Sequence, residues 1–163
     1  MGKKIFNNGD IYEGDLSDDL PHGKGKWILK NGNVIEGNWT EGYLQGKGKF
    51  TSPSGNYYEG DFADNAPHGR GRLISPDGDI YEGDFADGSP HGKGKYIWAD
   101  DGTIYEGDFI KGLFRGKGKM TYPDGKVYEG DYVDGKRNGK GKMTYPDGRV
   151  EEGIWKNGEF KGK

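Results

Sequence analysis

The residues YEGD return along this chain at a nearly constant interval. They begin at Tyr12, Tyr58, Tyr81, Tyr105 and Tyr128, with variants starting at Ile35 and Glu151, in steps of 23, 23, 23, 24, 23 and 23 residues. A second motif, GKGK or GRGR, follows each of the first six, starting at Gly23, Gly46, Gly69, Gly92, Gly116 and Gly139. A fixed period of this length means that each unit is one supersecondary element, which buries its apolar face only by stacking on its neighbours.

Each unit reads as two short strands and two turns. In the third, Tyr57–Phe62 is one strand and Gly69–Ile74 the other, joined by a polar, proline-containing connection over Ala63–His68. Ser75-Pro76-Asp77-Gly78 leads into the next unit, and PDG recurs at Pro123–Gly125 and Pro146–Gly148. Proline presets φ near −65° and glycine accepts positive φ, so these are turns. The fourth unit carries its extra residue in Ala99–Gly102, where strand register is unaffected. No segment has the 3.6-residue apolar period, and glycine is too frequent for helix. The expected fold is all-β: an elongated, single-layer antiparallel meander of tandem ~23-residue hairpins with about fourteen strands and no helix. At ~4.8 Å per strand it would run roughly 60 Å. One continuous array over 1–163 is expected. A half repeat at 1–9 comes first, repeats start near 12, 35, 58, 81, 105 and 128, and a truncated one covers 151–163.

Alternation along a strand sorts the residues into two faces. Tyr81, Gly83 and Phe85 share one face, as do Gly92, Gly94 and Tyr96; Glu82 and Asp84, with Lys93 and Lys95, take the other. The register that places rings over bare glycine backbone also places acids opposite lysines. The expected core is therefore one layer thick. Its composition agrees: only 30% of residues are hydrophobic, yet 33 are glycine and 13% are aromatic. Disordered chains are poor in aromatics. The seven in-register glutamates (Glu13, Glu36, Glu59, Glu82, Glu106, Glu129, Glu152) read as a structural ladder. Acid–base catalysis needs carboxylates in distinct environments, and a repeated one offers none.

Three columns on the ring face are the candidate groove for a protein segment. The first is Tyr12, Tyr58, Tyr81, Tyr105 and Tyr128; the second is Trp39, Phe62, Phe85, Phe109, Tyr132 and Trp155; the third is Trp27, Phe50, Tyr96, Met120 and Met143. Aromatic and methionine surfaces suit recognition of a partner's helix or extended segment.

Other chemistries find little footing. GKGK lacks the spacing and the helix of a phosphate-binding loop. His22, His68 and His91 hold the same position in their units, and even adjacent units are ~9–10 Å apart, too far to share a zinc ion. Asn38-Trp39-Thr40 fits a glycosylation acceptor but lies in a predicted strand. There is no cysteine, and the longest apolar run is Tyr96–Ala99, too short for a membrane span or a signal peptide. With 24 basic and 27 acidic residues, net charge −3, no basic excess invites nucleic acid. The expectation is a non-enzyme without cofactor or metal, cytoplasmic, and peripheral at a membrane or the cytoskeleton.

The run YEGDYVDGKRNGKGKMTYPDG, Tyr128–Gly148, resembles the MORN repeat (membrane occupation and recognition nexus), and the resemblance covers essentially the whole chain. It implies an elongated antiparallel sheet acting as a scaffold, with a peptide in its groove or acidic phospholipid on its surface. Ile35 and Glu151 depart from the pattern at the tyrosine position, and Asp19 and Asn65 at the turn glycine. Interleaved Lys and Glu columns leave little local positive charge, so a protein partner ranks above lipid. Two further readings are self-assembly through the end strands, where Lys3 and Lys4 oppose Glu151 and Glu152 in sign, and an engineered, consensus-like repeat with no native partner.

Overall fold

A computed structural model of the protein describes residues 2–163. Fifteen strands follow in chain order: β1 Gly2–Ile5, β2 Ile11–Ser17, β3 Leu20–Ile28, β4 Val34–Thr40, β5 Tyr43–Thr51, β6 Tyr57–Ala63, β7 Ala66–Ile74, β8 Ile80–Ala86, β9 Ser89–Ile97, β10 Ile104–Ile110, β11 Leu113–Thr121, β12 Val127–Val133, β13 Lys136–Thr144, β14 Val150–Lys156 and β15 Glu159–Gly162. Among the described residues there is no helix. The chain divides into two units, Met1–Pro76 and Asp77–Lys163. Within the first, β1 to β7 pair antiparallel in chain order; within the second, β8 to β15 do. The all-β meander read from the repeat is therefore the fold. The expected count of about fourteen becomes fifteen because Glu159–Gly162 pairs with β14 as a strand of its own.

The connection expected over Ala63–His68 is much shorter. β7 begins at Ala66, and the turn is Asp64 and Asn65 alone, at φ 51° and 64°. The other hairpins turn on Asp18-Asp19, Glu41-Gly42, Asp87-Gly88, Lys111-Gly112, Asp134-Gly135 and Asn157-Gly158, each with both φ positive. Two left-handed residues in succession match the right-handed twist of the flanking strands. Pro21, Pro67 and Pro90 thus sit inside strands, one residue past the turn. The carbonyls of Pro21 and Pro90 accept from the next hairpin's turn, Gly42 N–H at 3.1 Å and Gly112 N–H at 2.9 Å.

The turns between repeats behave as predicted. Gly55 N–H donates to Ser52 O and Gly125 N–H to Tyr122 O, both at 3.0 Å. Asp124 Oδ1 accepts from Lys126 N–H and Asp147 Oδ1 from Arg149 N–H, the local bond that makes Asp a turn residue.

Each hairpin also carries an irregularity in its first half. In β2–β3, Gly14 faces Gly25 and Leu16 faces Pro21, so Asp15 lies opposite three residues. Gly23 relieves the crowding at φ 97°, a conformation that side chains rarely adopt. Asp61, Asp84, Asp108 and Asp131 stand at the same position as Asp15. Each accepts from the backbone N–H two residues short of the opposed Lys or Arg: Arg70, Lys93, Lys117 and Lys140, at 3.1–3.4 Å. The aspartate of YEGD is therefore a bulge cap as well as a surface charge.

Candidate binding face

The tyrosines and the paired glycines lie on one side of the sheet, as the alternation requires. A Cβ on Gly25 would stand 1.9 Å from Tyr12 Oη, and one on Gly71, Gly94, Gly118 or Gly141 would stand 2.1–2.3 Å from the hydroxyl of Tyr58, Tyr81, Tyr105 or Tyr128. Each hydroxyl crosses this bare backbone and donates to a carbonyl: Tyr12 to Asp15 O at 2.8 Å, Tyr58 to Asp61 O at 2.7 Å, Tyr81 to Asp84 O at 2.7 Å. Burial raises the tyrosine pKa, to about 12 at Tyr58 and Tyr128, with the nearby Asp61 and Asp131 charges adding to it.

Thirteen of the sixteen candidate groove residues are sealed in this layer: Tyr12, Trp39, Tyr58, Phe62, Tyr81, Phe85, Tyr105, Phe109, Met120, Tyr128, Tyr132, Met143 and Trp155 are buried. Trp27, Phe50 and Tyr96 are half-buried. Edge-to-face contacts fix the layer. Tyr58–Phe62 and Tyr81–Phe85 centroids are 5.2 and 5.0 Å apart at 83° and 89°, and Tyr128–Trp155 are 5.3 Å apart at 80°. Such pairs add ~0.5–1.5 kcal/mol each beyond their area.

Above this floor runs a partly open rim that reaches beyond the three columns. In the first unit Phe6 stacks on Trp27 at 4.7 Å, and Trp27 Nε1–H donates to Asp10 Oδ2 at 3.1 Å. In the second, Trp98 packs on Tyr96 at 4.6 Å and on Phe114 at 5.6 Å, and Phe114 stacks on Tyr105 at 4.1 Å. Arg137 lies 5.0 Å over the Trp155 ring; its Nη1 donates to Tyr122 Oη at 3.0 Å and its Nη2 to Gly158 O at 2.7 Å. Trp98, Phe114, Tyr122 and Arg137 are all half-buried. Parity could have found Trp98, Tyr122 and Tyr145, which stand two residues beyond Tyr96, Met120 and Met143. Phe114 and Arg137 occupy the variable slot filled elsewhere by proline, leucine or, at Phe160, phenylalanine, which no repeat pattern flags. Tyr132 Oη, buried beneath the rim, has no hydrogen-bond partner among the described residues.

The opposite face carries the charges in the predicted register: Glu13 faces Lys26, Glu59 faces Arg72 and Glu129 faces Lys142. Close ion pairs also form with the bulge-capping aspartates. Lys47–Asp61 are 3.0 Å apart, and Lys93–Asp108 and Lys117–Asp131 are in direct contact; within the glutamate ladder, Lys26–Glu36 are 3.8 Å apart. The Lys47 ammonium and then the Arg70 N–H hold Asp61 below the usual carboxylate range. These pairs are open to solvent and contribute ~0–1 kcal/mol each. Beside them runs a column of β-branched residues, Ile80, Ile97, Ile104, Thr121, Val127, Thr144 and Val150, which suits a half-covered pleated surface. An open hollow of about 690 Å³ on this face of the second unit is lined by His91, Lys93, Asp108, Ile110, Arg115 and Val133, among others. Among the described residues no group of three His, Cys, Asp or Glu could hold a metal ion, and no helix is long and apolar enough to cross a membrane.

A single layer of rings over glycine, one hairpin per 23-residue period, defines a tandem-repeat β-meander with an aromatic face. Seven stretches, 12–34, 36–57, 58–80, 81–103, 105–127, 128–148 and 152–163, match the MORN repeat model, and the chain belongs to the MORN repeat family. Two matches begin at 36 and 152, just past Ile35 and Glu151. No curated protein sequence matches. Among solved structures the chain is similar to the TCP domain of SAS-4 (dCPAP) from Drosophila melanogaster, solved with a proline-rich motif of Ana2. The identity is 18%, over 94% of this chain and 83% of that one, with a TM-score of 0.56. The TCP10 domain of Danio rerio CPAP, solved with a STIL peptide, is 22% identical over 99% of this chain and 90% of that one, with a TM-score of 0.34.

Proposed function

We propose that the chain is a non-catalytic scaffold module that holds an extended peptide segment of a protein partner, rich in proline, on the aromatic rim. The observation that carries this reading is the half-open set Tyr96, Trp98, Phe114 and Tyr122, held on a sealed floor of rings in the second unit. Proline-rich segments are already extended when free and dock on aromatic-lined surfaces with little ordering cost. Arg137, spread over Trp155 and bonded to Tyr122, adds a planar cation that can meet a peptide carbonyl. That the similar SAS-4 domain was solved with a proline-rich motif supports the ligand class. On the reverse face, lysines are engaged by aspartates, which favours a peptide over an anionic lipid surface.

Titration calorimetry with proline-rich peptides tests this. Trp98→Ala and Phe114→Ala are expected to weaken binding about tenfold each, whereas Lys93→Ala on the other face leaves it unchanged. Equal losses for all three would remove the rim from the account. Phe85→Ala and Phe109→Ala lie in the sealed floor, 3% and 2% exposed, and act on stability first.

A further inference from the structure

Four of the turns between repeats open on an aromatic ring: Phe6, Trp98, Tyr122 and Tyr145. Three of these rings lie under a cation of their own chain. Lys4 Nζ stands 5.1 Å from the Phe6 centroid, Lys126 Nζ 5.0 Å from that of Tyr122, and the Arg149 guanidinium 4.0 Å from that of Tyr145. Lys126 and Arg149 each close the turn that their ring opens. In the turn of Trp98 the closing residue is Thr103, short, uncharged and 8% exposed. Among the described residues no cation lies over Trp98.

The surroundings of Trp98 are acidic as well. Its turn lies against the one before it: a Cβ on Gly78 would stand 3.1 Å from Ala99 Cβ. Between them, Asp77–Asp79 and Trp98–Thr103 carry four aspartates and no lysine or arginine. Asp79 is fixed beside the ring. Its Oδ1 accepts from Ala99 N–H at 2.9 Å and its Oδ2 from the Tyr96 hydroxyl at 2.7 Å, and Tyr96 packs on Trp98 at 4.6 Å. Asp101 Oδ1 accepts from Thr103 N–H at 2.9 Å, as Asp124 Oδ1 does from Lys126 N–H at 3.1 Å. In the Tyr122 turn, Asp124 Oδ2 then meets Lys126 Nζ at 3.6 Å, so ring and carboxylate hold the cation together. Trp98 and Asp101 repeat the ring and the carboxylate; only the cation is missing.

We propose that Trp98 takes this cation from its partner: an arginine or lysine side chain of the bound segment lies on the indole and pairs with Asp101, with Asp79 and Asp100 at its flanks. Resting on the rim as the peptide-binding surface, this makes the partner a proline-rich segment that carries a basic residue. A cation is drawn to the face of an aromatic ring, and to tryptophan most of all. Trp98 is half-buried and Asp100 and Asp101 are exposed, so the slot can be reached from solvent.

Titration calorimetry of the full chain is the test, with polyproline peptides of about ten residues that carry one central arginine, norleucine or glutamate. The arginine peptide is expected to bind about tenfold tighter than the norleucine peptide, with the glutamate peptide weakest, and its advantage shrinks as salt rises. Asp100→Lys, at an exposed turn position, abolishes the advantage and leaves the norleucine peptide bound as before. Thr103→Lys, which supplies an internal cation as Lys126 does, has the same effect. Equal binding of the arginine and norleucine peptides overturns the inference and leaves the rim standing as a proline-rich site. An arginine advantage that survives both variants also overturns it, and no binding by any of the three peptides overturns the rim reading with it.

Discussion

Two hairpins of the first unit, β6–β7 and β4–β5, solve the same packing problem differently. In β6–β7, Tyr58 reaches across Gly60 and Gly71 and donates to Asp61 O. In β4–β5 the tyrosine is Ile35 and the aspartate Asn38, so neither the ring nor the bulge cap is present. Leu44, from the opposite strand, fills the space. It is 2% exposed, and Cβ atoms on Gly37 and Gly48 would each stand 2.7 Å from its methyl groups. The irregularity moves as well: Asn38 pairs with Gln45, and the register breaks between Gly37 and Asn38. What the repeat requires at this place is apolar volume above two glycines. The identity of the residue, and even the strand that supplies it, is free to change.

Alkaline titration separates the two solutions most broadly. Tyr58 and Tyr128 titrate near 12 in the folded chain, above the ordinary value of 10.0. The folded state therefore holds protons that the unfolded state releases. Their stabilisation is complete below pH ~10 and is lost as pH climbs toward about 12. Circular dichroism is expected to show unfolding in that window. Replacing the tyrosine hairpins with copies of β4–β5 would move it upward.

Among single substitutions, Gly71→Val should cost at least about 3 kcal/mol, because the added atoms meet a fixed ring rather than a flexible chain. Gly94→Val, beneath Tyr81, behaves alike in chemical denaturation. Leu44→Ala opens a cavity above Gly37 and Gly48 and should cost about 2–3 kcal/mol. Ile35→Tyr overpacks in the parent, but combined with Leu44→Pro it recreates the β6–β7 arrangement. The double variant is expected to be more stable than the sum of the single changes predicts. Tyr58→Phe removes only the bond to Asp61 O and should cost about 1 kcal/mol; the same melting temperature as the parent would show that the hydroxyl is dispensable.

The period, the two strands per unit and the ring-over-glycine layer were all legible, because each follows from spacing and parity. Leu44 was not, because a substitution at Ile35 gives no sign of where its volume is restored. The short turns were misread because Pro67 and His68 look like loop residues, although Asp87-Gly88 and Asn157-Gly158 are strong hairpin signals. The second duty of the aspartates depends on a bulge that only coordinates reveal. The candidate face was legible in outline and inverted in emphasis. The columns with the clearest periodicity form the sealed floor, whereas the accessible rim is built at positions such as Phe114 and Arg137 that vary between units.

The hairpin turns leave no slack: seven of them use just two residues, both left-handed. The connections between repeats are different. Trp98 to Thr103 holds one residue more than its counterparts, yet Ile97 still faces Ile104 and Tyr96 still faces Tyr105. Each unit thus has a margin where length is fixed and a margin where it can grow. Grafted loops, tags or recognition sequences belong at the PDG side, where lengthening the chain leaves every downstream strand in step.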